Sequence, residues 1–287
     1  MIFRTLISVD SLQDLLGRPG LAVIDCRFDL MNPEAGRQAY LESHIPGAGY
    51  ADLNRDLSGP LGPDTGRHPL PAPEALAASL RRLGIGNDTQ VVAYDAANGS
   101  FAARLWWLLR WLGHDAVAVL DGGFAAWSSR GGALQSGEAD RSFAPQMEAA
   151  SAAAGAATHT VLGTAELEQA LRDPATLLVD ARAAERFAGT VEPIDAVAGH
   201  IPGAVNHPFT ANLGADNRFL PADELRRNWQ GRLAGTDPKN LIAMCGSGVT
   251  ACHNLLSLEV AGLPGARLYG GSWSEWIRDP RRPIARG

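Results

Sequence analysis

The segment Cys245-Gly246-Ser247-Gly248-Val249-Thr250-Ala251-Cys252 holds the residues best suited to chemistry. It follows the apolar run Leu241-Ile242-Ala243-Met244 and precedes a helical pattern, so Cys245 is expected at a strand end and Thr250 at a helix start. Glycines at 246 and 248 let the backbone curl without a Cβ clash. Successive amide hydrogens can then point inward as an anion nest, reinforced by the positive end of the following helix. Such a setting favours thiolate over thiol and predicts a nucleophile at neutral pH. The same cradle, Gly246, Ser247, Gly248, Val249 and Thr250, suits the anionic outer sulfur of a persulfide. Cys26, within an apolar strand, and Cys252, one turn into the helix, read mainly as packing residues.

The elements that must position this loop occur twice. Ala22-Val23-Ile24-Asp25-Cys26-Arg27 is echoed by Leu177-Leu178-Val179-Asp180-Ala181-Arg182, and Ser43-His44-Ile45-Pro46-Gly47-Ala48 by Gly199-His200-Ile201-Pro202-Gly203-Ala204. The strand ending at Asp95 is echoed by the strand ending at Cys245, and Asp121-Gly122-Gly123 by Tyr269-Gly270-Gly271. Order is kept, and the separations stay close: 155 residues for Asp25 and Asp180, 156 for His44 and His200, 150 for Asp95 and Cys245, 148 for Gly122 and Gly270. A period this long indicates tandem domains, not a solenoid. Residues 1–141 are read as a degenerate domain, 142–158 as a small-residue linker and 159–287 as the catalytic domain. Asp95 at the position of Cys245 cannot carry transferable sulfur, so one site per chain is expected. A role shared by His44 and His200, present in both halves, is more simply structural.

Each half alternates apolar runs with amphipathic stretches. Helices are expected over 8–16, 73–83, 102–112, 164–171, 222–231 and 251–261, and strands over 22–25, 91–94, 116–120, 177–179 and 241–244. That alternation predicts an α/β fold in each half, a mainly parallel sheet flanked by helices. Ligands in such sheets bind beyond the carboxyl ends of the strands, where Cys245 falls. The seven tryptophans are expected in cores or interfaces.

Composition bounds the rest. The chain has 287 residues, is 46% hydrophobic, and has a formal net charge of −6, which disfavours nucleic acid and anionic membrane as partners. Three cysteines are too few and too odd for a disulfide framework and suit a reducing compartment, so a cytoplasmic location is expected. No signal peptide or membrane-length apolar run is seen. A phosphatase loop would need arginine where Ala251 stands. Cys245, Cys252 and His253 are poorly spaced for zinc, and Ser247 lacks a hydrolase elbow.

With these residues quoted, the sequence resembles the two-domain rhodanese family, and within it the 3-mercaptopyruvate sulfurtransferase branch. The doubled His-Ile-Pro-Gly-Ala element, the Gly-Gly endings with their tryptophans and the Cys245–Thr250 loop carry the resemblance over nearly the whole chain. It implies ping-pong sulfur transfer through a Cys245 persulfide, from 3-mercaptopyruvate or, alternatively, thiosulfate. The acceptor would be cyanide, a thiol or thioredoxin, and no metal or organic cofactor is implied. Gly246 and Ser247 stand where thiosulfate-using relatives carry cations. Arg186 matches an arginine that binds the donor's carboxylate, while the position of a second such arginine is Asp195. Ser247 and His68 match a serine and a histidine proposed as a proton relay, with Asn54 at the third position and Asp52 nearby. The rival class is a non-enzymatic persulfide-binding module.

Overall fold

The computed structural model describes residues 2–139 and 159–287; the expected linker, 142–158, lies outside them. The described residues gather into two compact units. The first takes residues 2–59, 71–139 and 215–219, and the second takes 60–70, 159–214 and 220–287. The units are therefore not two unbroken halves of the sequence, and residues 60–70 of the first repeat fold with the second.

In the first unit the elements are β1 (Leu6–Ile7), α1 (Val9–Leu15), β2 (Leu21–Asp25), α2 (Ala35–Glu42), β3 (Gly49–Tyr50), α3 (Pro73–Arg82), β4 (Gln90–Tyr94), α4 (Ala102–Trp111), β5 (Val117–Leu120) and α5 (Gly123–Ser129). The strands form one parallel sheet in the order β1-β5-β4-β2-β3. The second unit repeats the course with β6 (Val161–Leu162), α6 (Thr164–Ala170), β7 (Leu177–Asp180), α7 (Ala184–Ala188), β8 (Val205–Asn206), α8 (Ala222–Leu233), β9 (Leu241–Met244), α9 (Thr250–Val260), β10 (Arg267–Tyr269) and α10 (Ser272–Trp276). Its sheet is also parallel, in the order β6-β10-β9-β7-β8.

The local chemistry explains these choices. Helix α3 has Pro73 in its first turn, Glu74 at its positive end and Arg81 and Arg82 at its negative end, with Leu76, Ala77 and Leu80 buried. Central strands β4 and β9 are almost wholly buried, as strands covered on both faces must be. Helices α4 and α9 follow them and are buried along most of their length, α4 with Arg104 and α9 with His253, Asn254 and Ser257 among the buried residues. Six of the seven tryptophans are buried, Trp229, Trp273 and Trp276 within the second unit. Among the described residues no helix is long and apolar enough to cross a membrane.

Candidate active site

Strand β9 lies beside β7 in the middle of its sheet, and the sequence order reverses there, since β8 lies to one side and β10 to the other. Crevices at such switch points receive ligands. Cys245 follows directly on β9 and is 2% exposed. Its carbonyl accepts from Trp273 N (3.0 Å), and the Gly246 carbonyl from Ser274 N (2.9 Å), so the turn after β10 holds the loop. The Cys245 N–H donates to Ser272 Oγ at 3.0 Å, and that hydroxyl donates to the Tyr269 carbonyl at 3.0 Å. Ser272 reaches this position with φ of +54°, a left-handed conformation costly for a residue with a Cβ.

The sulfur is met by the loop itself: Gly248 N–H donates to Cys245 Sγ at 3.1 Å. The two glycines turn out to serve different ends. Gly248 has φ of +78°, and a Cβ there would stand 2.4 Å from the Gly270 carbonyl oxygen. Gly246 is not left-handed, which corrects the expectation that both curl the chain. Its missing Cβ instead leaves room for guanidinium groups. A Cβ on Gly246 would lie 2.9 Å from Arg67 Nη2 and 3.6 Å from Arg186 Nη1. Val249 and Thr250 complete the turn into α9. The Cys252 thiol donates to the Gly248 carbonyl at 3.3 Å, bracing the loop from below.

The first unit shows what such a loop does with an anion. Asp95, following β4, receives N–H donors from Ala97, Gly99, Phe101 and Ala102 at 2.8–3.2 Å. Burial raises its pKa and these amides oppose that rise. Cys26 is buried beside it, and burial, then the charges of Asp25 and Asp95, push its thiol well up, which disfavours the thiolate.

His68 and Ser247 come together in the second unit. Their Nδ1 and Oγ share a hydrogen bond of 2.7 Å, and both residues are 5% exposed. The other two relay candidates belong to the first unit. Asp52 Oδ1 accepts from the amides of Asn54 (2.8 Å) and Arg55 (2.9 Å), which fixes its own turn, and Asn54 is exposed. Arg186, on α7, places Nε and Nη2 on Glu192 and Nη2 also on Asp195 Oδ2 at 3.0 Å. Asp195 Oδ1 pairs with Arg67 Nη1. Burial dominates at Asp195 and raises its pKa against the pull of Arg67. At Glu192 burial acts upward too, but the bonds from Arg186 and the Asp195 amide prevail and the carboxyl is held low. Arg182, doubly bonded to Asp180 (2.7–3.1 Å), anchors the end of β7 beneath them.

His44 and His200 are each held at Nδ1 by a backbone carbonyl, of Tyr40 at 2.7 Å and of Phe187 at 2.8 Å. Each also stacks on the ring of that residue. Sequence reasoning missed Arg67 and Ser272. An acid at 195 where a cation was awaited was the available signal for Arg67, because a buried carboxylate demands a partner. Ser272 gave no signal: the sequence match sets Gly123 against Gly271, whereas the matching bonds of Phe124 N to the Asp95 carbonyl and Trp273 N to the Cys245 carbonyl shift the register by one residue and set Gly123 against Ser272. Among the described residues, no three His, Cys, Asp or Glu side chains are grouped to hold a metal ion.

A family model for the rhodanese-like domain matches residues 8–130 and again 163–279. The chain belongs to the rhodanese-like family. It is 51% identical, over 98% of each chain, to a probable 3-mercaptopyruvate sulfurtransferase of Pseudomonas aeruginosa. It is 36% identical to the thiosulfate sulfurtransferase of Bos taurus, over 96% of this chain and 93% of that one. The crystal structure of the 3-mercaptopyruvate sulfotransferase SseA from Escherichia coli superposes with a TM-score of 0.79 at 33% identity, covering 95% of this chain and all of that one. The two units are thus two rhodanese domains, and the chain is a sulfurtransferase.

Proposed function

We propose that this sulfurtransferase carries sulfur as a persulfide on Cys245 and draws it preferentially from 3-mercaptopyruvate. The observation that carries the reading is the buried Cys245 sulfur at the sheet's switch point, facing the Gly248 N–H with Arg186 close over the next residue. The thiolate attacks the donor's sulfur; an S–S bond forms, the donor's C–S bond breaks, and its electrons stay on carbon as the enolate of pyruvate. That carbon must take up a proton, and the donor's S–H supplies one through the His68–Ser247 pair. The relay is proposed for these two residues alone, since Asp52 is engaged in its turn and Asn54 is exposed. A thiophilic acceptor, whether cyanide, a thiol or thioredoxin, then takes the outer sulfur, and the cycle asks for no metal or organic cofactor. Arg186 binds the donor's carboxylate. The cradle of Gly246, Ser247, Gly248, Val249 and Thr250 holds the outer sulfur of the persulfide.

The second reading is thiosulfate as donor, favoured by the bovine relative's name. Sulfite leaves as a stable anion and needs no proton, so the relay separates the donors. The domain limits of 1–141 and 159–287 stay part of the proposal, with residues 60–70 serving the second domain. A cytoplasmic location accords with three free thiols.

The test is intact-mass analysis of donor-treated protein, with steady-state cyanolysis. Cys245→Ser should take up no sulfur from either donor and release no thiocyanate. His68→Gln should lower kcat with 3-mercaptopyruvate by about a hundredfold, the usual scale of general acid–base help, and spare thiosulfate. Sulfur uptake by Cys245→Ser would sink the carrier assignment. An equal loss with both donors in His68→Gln would sink the relay.

A further inference from the structure

Arg67 lies in Gly66-Arg67-His68-Pro69-Leu70, a segment fixed within the second unit. Its backbone N–H donates to Ser274 Oγ at 3.0 Å, and a Cβ on Gly66 would stand 2.6 Å from the Gly271 carbonyl oxygen. The turn that holds Cys245 therefore also holds Arg67. Asp195 joins the two guanidinium groups, one oxygen to Arg67 Nη1 and the other to Arg186 Nη2. Glu192 takes Nε and Nη2 of Arg186 and fixes its plane.

After these bonds, one terminal nitrogen on each arginine is unspent. Arg67 Nη2 and Arg186 Nη1 have no hydrogen-bond partner among the described residues, and Arg67 Nε is buried without one. Both guanidinium groups lie against the residue next to Cys245: a Cβ on Gly246 would stand 2.9 Å from Arg67 Nη2, 3.6 Å from Arg186 Nη1 and 3.7 Å from Arg186 Nη2. Two unspent nitrogens from separate guanidinium groups, both beside Gly246, suit the two oxygens of a planar carboxylate. Asp195 and Glu192 balance the two arginine charges, and Asp180 balances Arg182. The cluster thus offers directed donors with little net positive charge, which suits a monoanionic carboxylate better than a small dianion.

We propose that Arg67 is the second arm of the donor-carboxylate site, that Arg186 is the first, and that Asp195 is the positioning residue that holds both. This rests on Cys245 as the sulfur carrier, and it names the feature that selects a carboxylate-bearing donor. Steady-state kinetics of Arg67→Ala should show KM for 3-mercaptopyruvate raised about ten- to a hundredfold, the span of a hydrogen bond to a charged group. In the same variant kcat should stay within a few-fold and KM for thiosulfate should change much less. Arg67→Lys should recover part of the loss. The Arg67→Ala/Arg186→Ala pair should lose less than the product of the single effects, because both arms hold one group. Asp195→Asn should raise KM in the wild-type background and much less in Arg67→Ala. An unchanged KM in Arg67→Ala, or an equal rise for both donors, would overturn the proposal. Calorimetric titration with pyruvate reads the carboxylate site without sulfur transfer. Equal affinity in wild type and Arg67→Ala overturns the clamp, whereas absence of sulfur on wild-type Cys245 overturns only the carrier reading.

Discussion

Replacing each glycine of the Cys245 loop by alanine separates the two demands on that loop. At Gly248 the added methyl meets two penalties. The left-handed φ of +78° costs about 1–2 kcal/mol once a Cβ is present. The methyl also stands 2.4 Å from the Gly270 carbonyl oxygen, so backbone must shift by roughly an ångström, at about 1–3 kcal/mol for an overpacked site. The sum, about 2–5 kcal/mol, corresponds to a fall in melting temperature of about 4–20 °C for a protein of this size class. The shift also draws the Gly248 N–H away from Cys245 Sγ, so persulfide formation should fail. At Gly246 no backbone strain applies, and the nearest atom is the tip of the Arg67 side chain, which can swing aside. Gly246→Ala should therefore melt within a few degrees of wild type and still take up sulfur, with a raised KM for 3-mercaptopyruvate. Differential scanning calorimetry and intact-mass analysis of both variants read these outcomes. The reasoning fails if Gly248→Ala melts within a degree or so of wild type and transfers sulfur normally. It fails equally if Gly246→Ala is as destabilised as Gly248→Ala.

Ser272 and two buried histidines give further expectations. Ser272→Gly relieves the left-handed strain but orphans the buried Cys245 N–H, so it should leave stability within about 1–2 kcal/mol of wild type while lowering kcat; full activity in this variant would show the hydroxyl to be dispensable. His114 and His207 are each lowered from the ordinary 6.5, by burial first, against opposing hydrogen bonds to the Thr89 carbonyl and to Asn212 Oδ1. The unfolded chain therefore binds protons at these sites before the folded one does, and stability should fall as pH drops below about 6.5. Thermal unfolding across about pH 5–7.5 should show this acid limb flattened in His114→Gln/His207→Gln, and an undiminished limb would refute the assignment.

Most of the longer strands and helices were legible in the sequence, though α2 and α5 were not. The expected helix over 73–83 is α3, Pro73–Arg82, and that over 251–261 is α9, Thr250–Val260. Strands β1, β3, β6 and β8 were not legible because two residues carry no alternation, and they exist through pairing with longer neighbours. Helix α2 buries only Gly36 and Tyr40, too few to make a stripe. Cys245 could be read because strand, glycines and helix are contiguous. The Arg67–Asp195–Arg186 group could not, since its parts are 128 and 9 residues apart and nothing local links them. The membership of residues 60–70 in the second unit is a tertiary fact of the same kind.

On the proposed reading, the differences between the two units say why one loop of the repeat would hold a transferable atom. Phe124 N and Ala125 N hold the Asp95 loop by its carbonyls, as Trp273 N and Ser274 N hold the Cys245 loop. In the first unit a fixed carboxylate takes up four amides, and a cavity of about 300 Å³ beside it is lined by Arg27, Phe28, Asp95 and Phe101. An anion bonded into the backbone leaves the amides nothing to bind. In the second unit the side chain at that position is shorter in reach and accepts one amide. An outer sulfur on it would extend into space that the longer Asp95 side chain fills in its own loop. Gly123, with φ of +55°, is free of strain where Ser272, at +54°, bears it, and the Ser272 hydroxyl bonds the Cys245 N–H. Strain and a hydroxyl thus accompany the cysteine, and a relaxed glycine accompanies the aspartate. On the proposed reading, that difference distinguishes the sulfur-carrying loop from its inert copy.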